Sequence, residues 1–345
     1  MPRSISSSST TTSALILCVS ISANAEAASE LVTMVFAFFV ITSFILDSLK
    51  SIPESSARRK SPSVKIPKNS LFLLVIVVTP RPLADISINA FGFGQKIGDT
   101  GVMALSIMSL DFGEIERTTY ENPDGGIGTF SPQFMNISLS YAKKFTYNMS
   151  AGITVKMISE SAAELSANGF ALDAGVHYET GDKGQAKFGI TLKNIGPRMA
   201  FNGDGDDVTV TGENGYDMTM EIRSASFELP SLLNIGGSYD FYWYSDMWRF
   251  TISETFVSNS FSKDQFLTGL EIAFKEMISL RGGYGYETGI FDDFDNGRTT
   301  AFKGVSAGFS IELPISDDTN FGLDYSYRPA DPLQSVHTFG ARVIF

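Results

Sequence analysis

The chain has one cysteine, Cys18, and two histidines, His177 and His337, among 345 residues. A disulfide within the chain is therefore excluded. Neither histidine has a second at metal-ligand spacing, so no zinc centre is expected. Charge is sparse, at 19% of residues, and the basic kind is the scarcer: 26 Lys and Arg against 38 Asp and Glu, a formal net charge of −12. A nucleic-acid partner needs a basic footprint that this balance denies. No Gly-x-Ser-x-Gly elbow, phosphate-binding loop or dinucleotide fingerprint occurs. Nothing argues for an enzyme, and no cofactor is expected. The apolar run Leu31 to Leu46 falls slightly short of a bilayer-spanning helix.

What the chain does have is glycine (31), phenylalanine (28) and tyrosine (12), set in a two-residue rhythm from Ala84 onward. Met135, Ile137, Leu139 and Tyr141 alternate with Asn136, Ser138, Ser140 and Ala142. Phe170, Leu172, Ala174, Val176 and Tyr178 alternate with Ala171, Asp173, Gly175, His177 and Glu179. Such a period belongs to β-strands with two unlike faces. A soluble sandwich would show it too, but here the apolar faces carry aromatics near segment ends, as at Tyr141, Phe145, Tyr239, Trp243, Trp248 and Phe256. Those positions suit the interfacial girdle of a membrane barrel, and the Gly, Ser, Thr and charged faces suit a wet or plugged lumen.

The connections decide between the two. About thirteen segments are separated by spacers that alternate short and long. Short turns are expected at 95–100, 146–148, 181–184, 245–246, 275–277 and 315–319. Longer loops are expected at 112–130, 159–167, 194–230, 257–265, 288–300 and 329–334. Outer-membrane barrels have short periplasmic turns and longer outer loops, an asymmetry a sandwich has no reason to show. The fold class is thus an all-β, antiparallel transmembrane barrel in the cell outer membrane. The last residues add the pattern of a barrel-assembly signal, with Thr338, Gly340, Val343 and terminal Phe345. Outer-membrane lipid and the barrel-assembly machinery are the partners this implies.

Residues 1–83 read differently. Residues 1–25 have the form of a signal peptide, with an apolar run at Ala14–Val19 and a small-x-small site at Ala23-Asn24-Ala25. Cys18 lacks the small-residue context of a lipidation site. Residues 26–83 are atypical: an apolar run, a basic stretch from Arg58 to Lys68, then the continuous apolar run Leu71–Val78. A signal followed by an inner-membrane anchor is one reading of this quarter, although a stop-transfer helix would trap the chain short of the outer membrane.

Candidate site residues follow from the strand parity. The lumen candidates are Lys156, Asp173, His177, Lys187, Lys193, Arg249, Glu271 and Arg281, with Glu179 and Glu287 on the same face; His337 faces outward. Asn202, Asp204, Asp206 and Glu213 fall at positions 1, 3, 5 and 12 of a calcium-loop pattern, but Asp207 stands where that loop needs glycine, which leaves a weak metal candidate. The loops 112–130 and 197–229, the longest on the outer side, are the expected partner-contact surfaces.

Ser109-Leu110-Asp111-Phe112-Gly113-Glu114, Leu139-Ser140-Tyr141-Ala142-Lys143-Lys144-Phe145, Ser150-Ala151-Gly152-Ile153-Thr154-Val155-Lys156 and Leu192-Lys193-Asn194-Ile195-Gly196-Pro197 resemble the PorV/PorQ family of outer-membrane proteins. The resemblance covers about residues 84–345 and is strongest over 101–215. It implies a FadL-like barrel of fourteen strands that assists type IX secretion, holding cargo proteins and delivering them to the surface attachment machinery. The other activity a FadL-like barrel implies is passive transport of hydrophobic small molecules. Members of the family carry, before the first strands, a Gly- and Ala-rich segment ending near Asn-Pro-Ala-Gly-Leu-Ala that helps plug the lumen; here Thr79-Pro80-Arg81-Pro82-Leu83-Ala84 stands in its place. The strand arithmetic agrees that one ascending strand is missing from the thirteen. Either the residues before about 80 derive from a shifted frame or misassigned start, or Leu71–Val78 is a divergent first strand.

Overall fold

A computed structural model of the chain describes residues 71–78, 87–98, 101–118, 122–203, 207–211, 216–221, 224–244, 247–292, 298, 300–316, 319–331 and 335–344. Its strands are β1 (Leu71–Val78), β2 (Ser87–Ile97), β3 (Gly101–Asp111), β4 (Ile115–Glu116), β5 (Thr129–Phe130), β6 (Gln133–Lys144), β7 (Met149–Ala162), β8 (Leu165–Thr180) and β9 (Ala186–Ile195). They continue as β10 (Asp207–Thr211), β11 (Asp217–Glu221), β12 (Leu232–Trp243), β13 (Trp248–Asn259), β14 (Gln265–Phe274), β15 (Ile278–Glu287), β16 (Val305–Ser316), β17 (Thr319–Arg328) and β18 (Val336–Ile344). No α-helix occurs among the described residues.

Fourteen of these strands close into one antiparallel barrel, each beside its neighbour in the chain, with β4–β5 and β10–β11 standing apart as small hairpins. Closure matters because an open sheet in lipid would leave two rows of backbone groups without partners. The seam is made by β1, which pairs with β18 from Phe72↔Ile344 to Val78↔Thr338 and with β2 from Leu71↔Gln95 to Val77↔Asn89. Thirteen of the barrel strands are the alternating segments, and Leu71–Val78, one of the two readings of the N-terminal quarter, supplies the fourteenth as a divergent first strand. β1 escapes a period-2 reading because both of its alternating sets are Leu, Phe, Val and Ile. Thr338, Gly340 and Val343 lie in β18, paired on both sides; Phe345 lies outside the described residues.

One expected loop is a strand pair instead. Residues 159–167 belong to the ends of β7 and β8, joined only by Ala163 and Glu164, with Ala163 at φ 52°. These are the longest strands of the barrel, of 14 and 16 residues. Their outward positions turn from Met157 and Phe170 to Ser159, Ser161, Ser166 and Asn168 toward the tip, as expected of a hairpin that rises above the lipid. The loops 112–132 and 196–231 likewise enclose the hairpins β4–β5 and β10–β11.

The two faces of the wall differ as the alternation requires. Leu139, Ile153, Phe188, Ile190, Ile252, Leu270 and Leu280 are exposed on the outside. Aromatic pairs stand at both ends of that face: Trp248 and Phe274 at 4.7 Å toward the short turns, Phe256 and Phe266 at 5.0 Å toward the long loops. An apolar band between aromatic girdles is the solvent-facing surface of a barrel whose solvent is a bilayer. The protein is a transmembrane barrel of the outer membrane, and the end with short turns faces the periplasm.

Candidate functional site: the lumen wall

The inner face divides into two unlike walls. At mid-height on β2, β3 and β6 the inward positions are small, Ala90, Gly92, Gly94, Ala104, Ser106, Ser138, Ser140 and Ala142, while Lys96 and Lys144 stand inward at the periplasmic end and Ile88, Met108, Leu110 and Phe134 pack together at the outer end. Their hydroxyls satisfy one another, Ser106 with Ser138 at 3.1 Å and Ser140 with Thr154 at 2.9 Å. No charge stands among these eight positions.

From β9 round to β18 the wall carries a belt of ion pairs near the periplasmic end. Lys187 on β9 binds Asp240 on β12 at 2.5 Å. Asp240 accepts from Thr251 at 2.6 Å and lies 3.7 Å from Arg249 on β13. Arg249 reaches Glu271 on β14 and Glu276 in the following turn, both at 2.8 Å. Arg281 on β15 pairs with the same Glu271 and donates to Ser310 on β16 at 2.6 Å. Ser310 donates to Asp324 on β17, and Arg342 on β18 meets Asp324 at 3.2 Å and Glu312 at 3.0 Å. Each charge has an opposite neighbour on the next strands, so the belt presents fixed dipoles more than free charge. Side chains held on several sides lose little further entropy for each added bond, which distinguishes such a network from isolated pairs.

A third feature sits higher, where β8 and β9 slip register between Leu172 and Ala174. The irregularity places Asn194 at φ 58°. Its backbone N–H donates to Asp173 Oδ1 at 2.9 Å, and its side-chain amide donates to the Pro230 carbonyl at 2.9 Å. Lys156, only 2% exposed, is clamped between Asp173 at 2.6 Å and the Asn194 amide oxygen at 2.8 Å. A bulge commonly re-aims a side chain in this way. Here it ties three strands to the segment that covers the outer end.

That covering segment continues β9 and then returns toward β12. Asn202 exchanges both backbone bonds with Ser166, and Met199 does the same with Phe227. Met199, buried to 2%, packs on Ala167 and Ala171, each wholly buried. Gly169 between them is required by the close approach: a Cβ there would come within 2.6 Å of Met199 Cγ. Arg117 reaches Glu164 at 2.7 Å, tying the loop 112–132 to the β7–β8 tip. The two loops expected to contact partners thus lie on either side of one raised hairpin.

Between the belt and the bulge the inner wall forms an open cavity of about 230 Å³. Glycines form much of its wall, at Gly152, Gly175, Gly189 and Gly236, joined by Thr154, Thr191, Ser253 and Thr255. Asp173, His177, Lys187 and Lys193 supply its ionisable edge. A concave site of small and apolar surface with a few convergent polar groups is the usual form of a small-molecule pocket.

The eight lumen candidates therefore fall into two groups. Lys156, Asp173, His177 and Lys193 gather at the bulge and cavity; Arg249, Glu271 and Arg281 join the belt, and Lys187 touches both. Glu287 is buried and hydrogen-bonded by Gln265 at 3.0 Å, and Glu179 lies opposite Lys187 in register. His337 bonds Tyr325 Oη at 2.9 Å on the outward face. Of the calcium-loop pattern, Asn202 is held in the strap, while Asp204, Asp206 and Glu213 lie outside the described residues; no metal-holding cluster of acids, His or Cys occurs among the described ones. Asp240, Glu312, Asp324 and Arg342 were readable by the same parity yet not singled out. Asn194 was not, because a register slip leaves no periodic trace.

No protein-family model matches the chain, and no curated protein matches it. Solved structures with a similar chain course include the Pseudomonas putida toluene transporter TodX, at 13% identity over 81% of this chain and 89% of that one, TM-score 0.48. A Pseudomonas aeruginosa FadL homologue aligns at 10% identity over 80% and 87%, TM-score 0.42. A bacterial polysaccharide outer-membrane secretin aligns at 9% over 80% and 97%, TM-score 0.42. These identities are too low for any activity to be carried across.

Proposed function

We propose that this barrel passively admits small apolar or weakly amphipathic molecules through its lumen. The observation that carries this reading is the glycine-walled cavity, bounded on its β6 side by Ser140 and edged by Asp173, His177, Lys187 and Lys193. Every charge of the belt is engaged by a neighbour, so a hydrated ion finds little to replace its water. An apolar solute finds a surface of Cα hydrogens, methyls and satisfied hydroxyls. The name of TodX describes that protein's toluene transport; here it is consistent with the reading and does not establish it. The test is uptake of a small aromatic hydrocarbon and of a hydrophilic sugar into proteoliposomes carrying the full chain. Hydrocarbon entry well above protein-free vesicles, without sugar entry, supports the reading; equal entry of both, or of neither, removes it.

A second reading has its own observation. The raised β7–β8 hairpin, flanked by the loops 112–132 and 196–231 and braced by Arg117–Glu164 and Arg198–Glu228 at 2.5 Å, is a built outer platform. It suits the partner-holding role in type IX secretion that the PorV/PorQ resemblance implies. Co-purification of a secreted protein bearing a C-terminal signal domain, lost on deletion of residues 207–221, is the outcome this reading expects. Its absence from cells that secrete such cargo would remove it.

A further inference from the structure

Among the described residues, Arg328 is the arginine that no carboxylate meets. Arg117, Arg198, Arg249, Arg281, Arg298 and Arg342 each form an ion pair. Arg328 ends β17 on its inward face, four residues beyond Asp324 of the belt, roughly 13 Å at 3.4 Å per residue. It therefore stands above the belt, at the outer mouth of the lumen. The two acids nearest it in sequence are engaged by other cations. Asp324 is met by Arg342 at 3.2 Å, and Asp331 by Lys303 at 3.5 Å and Arg298 at 3.8 Å.

What holds the Arg328 side chain is a ring. Its Cζ lies 4.3 Å from the centroid of Phe302, which is itself buried. The ring is fixed by backbone pairing just past the end of β17: Phe302 bridges Ala330, and the Lys303 N–H donates to the Pro329 carbonyl at 3.2 Å. A ring face attracts the cation and sets the plane of the guanidinium, but leaves the N–H donors in that plane unspent. The Nε–H is buried and finds no acceptor in the protein, and the terminal nitrogens bond no protein group. The side chain as a whole is partly exposed, so its tip is the part that meets the mouth. A charge drawn out of water is costly unless it is paired and hydrogen-bonded. In the belt that cost is met within the protein, where Arg249 has Glu271 and Glu276, and Arg342 has Asp324 and Glu312. At Arg328 it is not.

We propose that Arg328, laid flat on Phe302, is a binding site for an oxyanion at the outer mouth of the lumen, taking a phosphate or carboxylate group end-on through its terminal N–H pair. The planar fork matches two oxygens of such a group, a geometry that chloride cannot offer. Dissolved phosphates and organic acids carry this chemistry, and so do the phosphates of lipid headgroups. The inward placement of Arg328 favours the dissolved source. This inference does not depend on what passes through the cavity below.

The test is the urea midpoint for unfolding of the full chain in phosphatidylcholine vesicles, as inorganic phosphate or acetate replaces chloride at constant ionic strength. A ligand that binds the folded form alone raises that midpoint. The wild-type midpoint should rise, and the rise should vanish in Arg328→Met, whose thioether still suits the Phe302 ring. Arg328→Lys, which keeps the charge without the fork, should need at least fivefold more anion for the same rise. In chloride alone, Arg328→Met should unfold no earlier than the wild type, since it removes a cation that the protein leaves unpaired. An earlier midpoint there would make the ring contact a structural latch and overturn the proposal. Monophosphoryl lipid A in the vesicles, with chloride as the dissolved anion, separates the sources. A rise that depends on Arg328 with either source supports the site and names what supplies the anion. No rise with phosphate, acetate or lipid A, or an equal rise in Arg328→Met, would overturn it.

Discussion

The two walls of the lumen solve the same problem, a wide interior in a membrane, in opposite ways. At mid-height the wall of β2, β3 and β6 shrinks its side chains to Gly, Ala and Ser, so little there needs a partner. The wall from β9 to β18 keeps large charged groups and satisfies them laterally, strand to strand, through Lys187, Asp240, Arg249, Glu271, Arg281, Asp324 and Arg342. The first wall leaves space and the second provides rigidity. A solute that cannot compete for fixed ion pairs would follow the first wall, and the cavity lies where the two meet.

The largest effect should come from breaking the buried ion pair at the bulge, Lys156 with Asp173. Lys156→Met leaves Asp173 and the Asn194 amide oxygen without the amine. Loss of one member of a buried pair costs about 3–5 kcal/mol, so the urea midpoint for unfolding from detergent or lipid should fall clearly, and the strap held through Asn194 and Pro230 should loosen with it. An unchanged midpoint would mean that the bulge is not a stabilising knot.

Next is the strap itself. Met199→Ala removes a buried side chain seated on Ala167, Gly169 and Ala171. Truncation of a buried methionine costs about 2–5 kcal/mol. Here the loss should be local, seen as faster proteolysis within 196–231 with the barrel still heat-modifiable. Global unfolding would show that the outer segment and barrel are one cooperative unit.

Within the belt, Arg249→Ala leaves Glu271 with Arg281 alone and leaves Glu276 without its guanidinium. The account expects a moderate loss of stability and a gain of cation conductance in planar bilayers, since carboxylates are then in excess. An anion-selective current would contradict it. At the small end, Arg117→Ala removes a half-exposed pair with Glu164, worth about 0–1 kcal/mol. No change in midpoint is expected, and a large one would mark the outer loops as more tightly built than their surface pairs suggest.

How much of this could be read from residues alone follows from period. Strands with one apolar and one polar face announce themselves, and β6, β7, β8, β12 and β13 begin within a few residues of where alternation places them. β1 does not, since Leu71–Val78 is apolar at every position and only its pairing with β18 and β2 reveals its place. The ends of β7 and β8 resembled a loop because outward positions turn polar once a strand leaves the lipid. Inward-facing charges were legible one by one through parity. Their partners were not, since which Asp meets which Arg depends on register between strands far apart in sequence, as for Lys187 and Asp240. Asn194 was hidden for a further reason: a bulge is a break in the pattern from which everything else was read.

The most direct test of the central claim fills the cavity without straining the wall. At Gly189 a Cβ would find only the Val176 carbonyl, at 3.9 Å, so Gly189→Leu can be accommodated by the backbone while its side chain enters the space the glycines leave. The measurement is the rate of small aromatic hydrocarbon entry into proteoliposomes bearing wild-type or Gly189→Leu protein at equal folded density. The account predicts at least a tenfold lower rate for the variant with the same unfolding midpoint. Equal rates in a variant shown to be folded would contradict it, and the lumen would then serve as a scaffold for the outer platform.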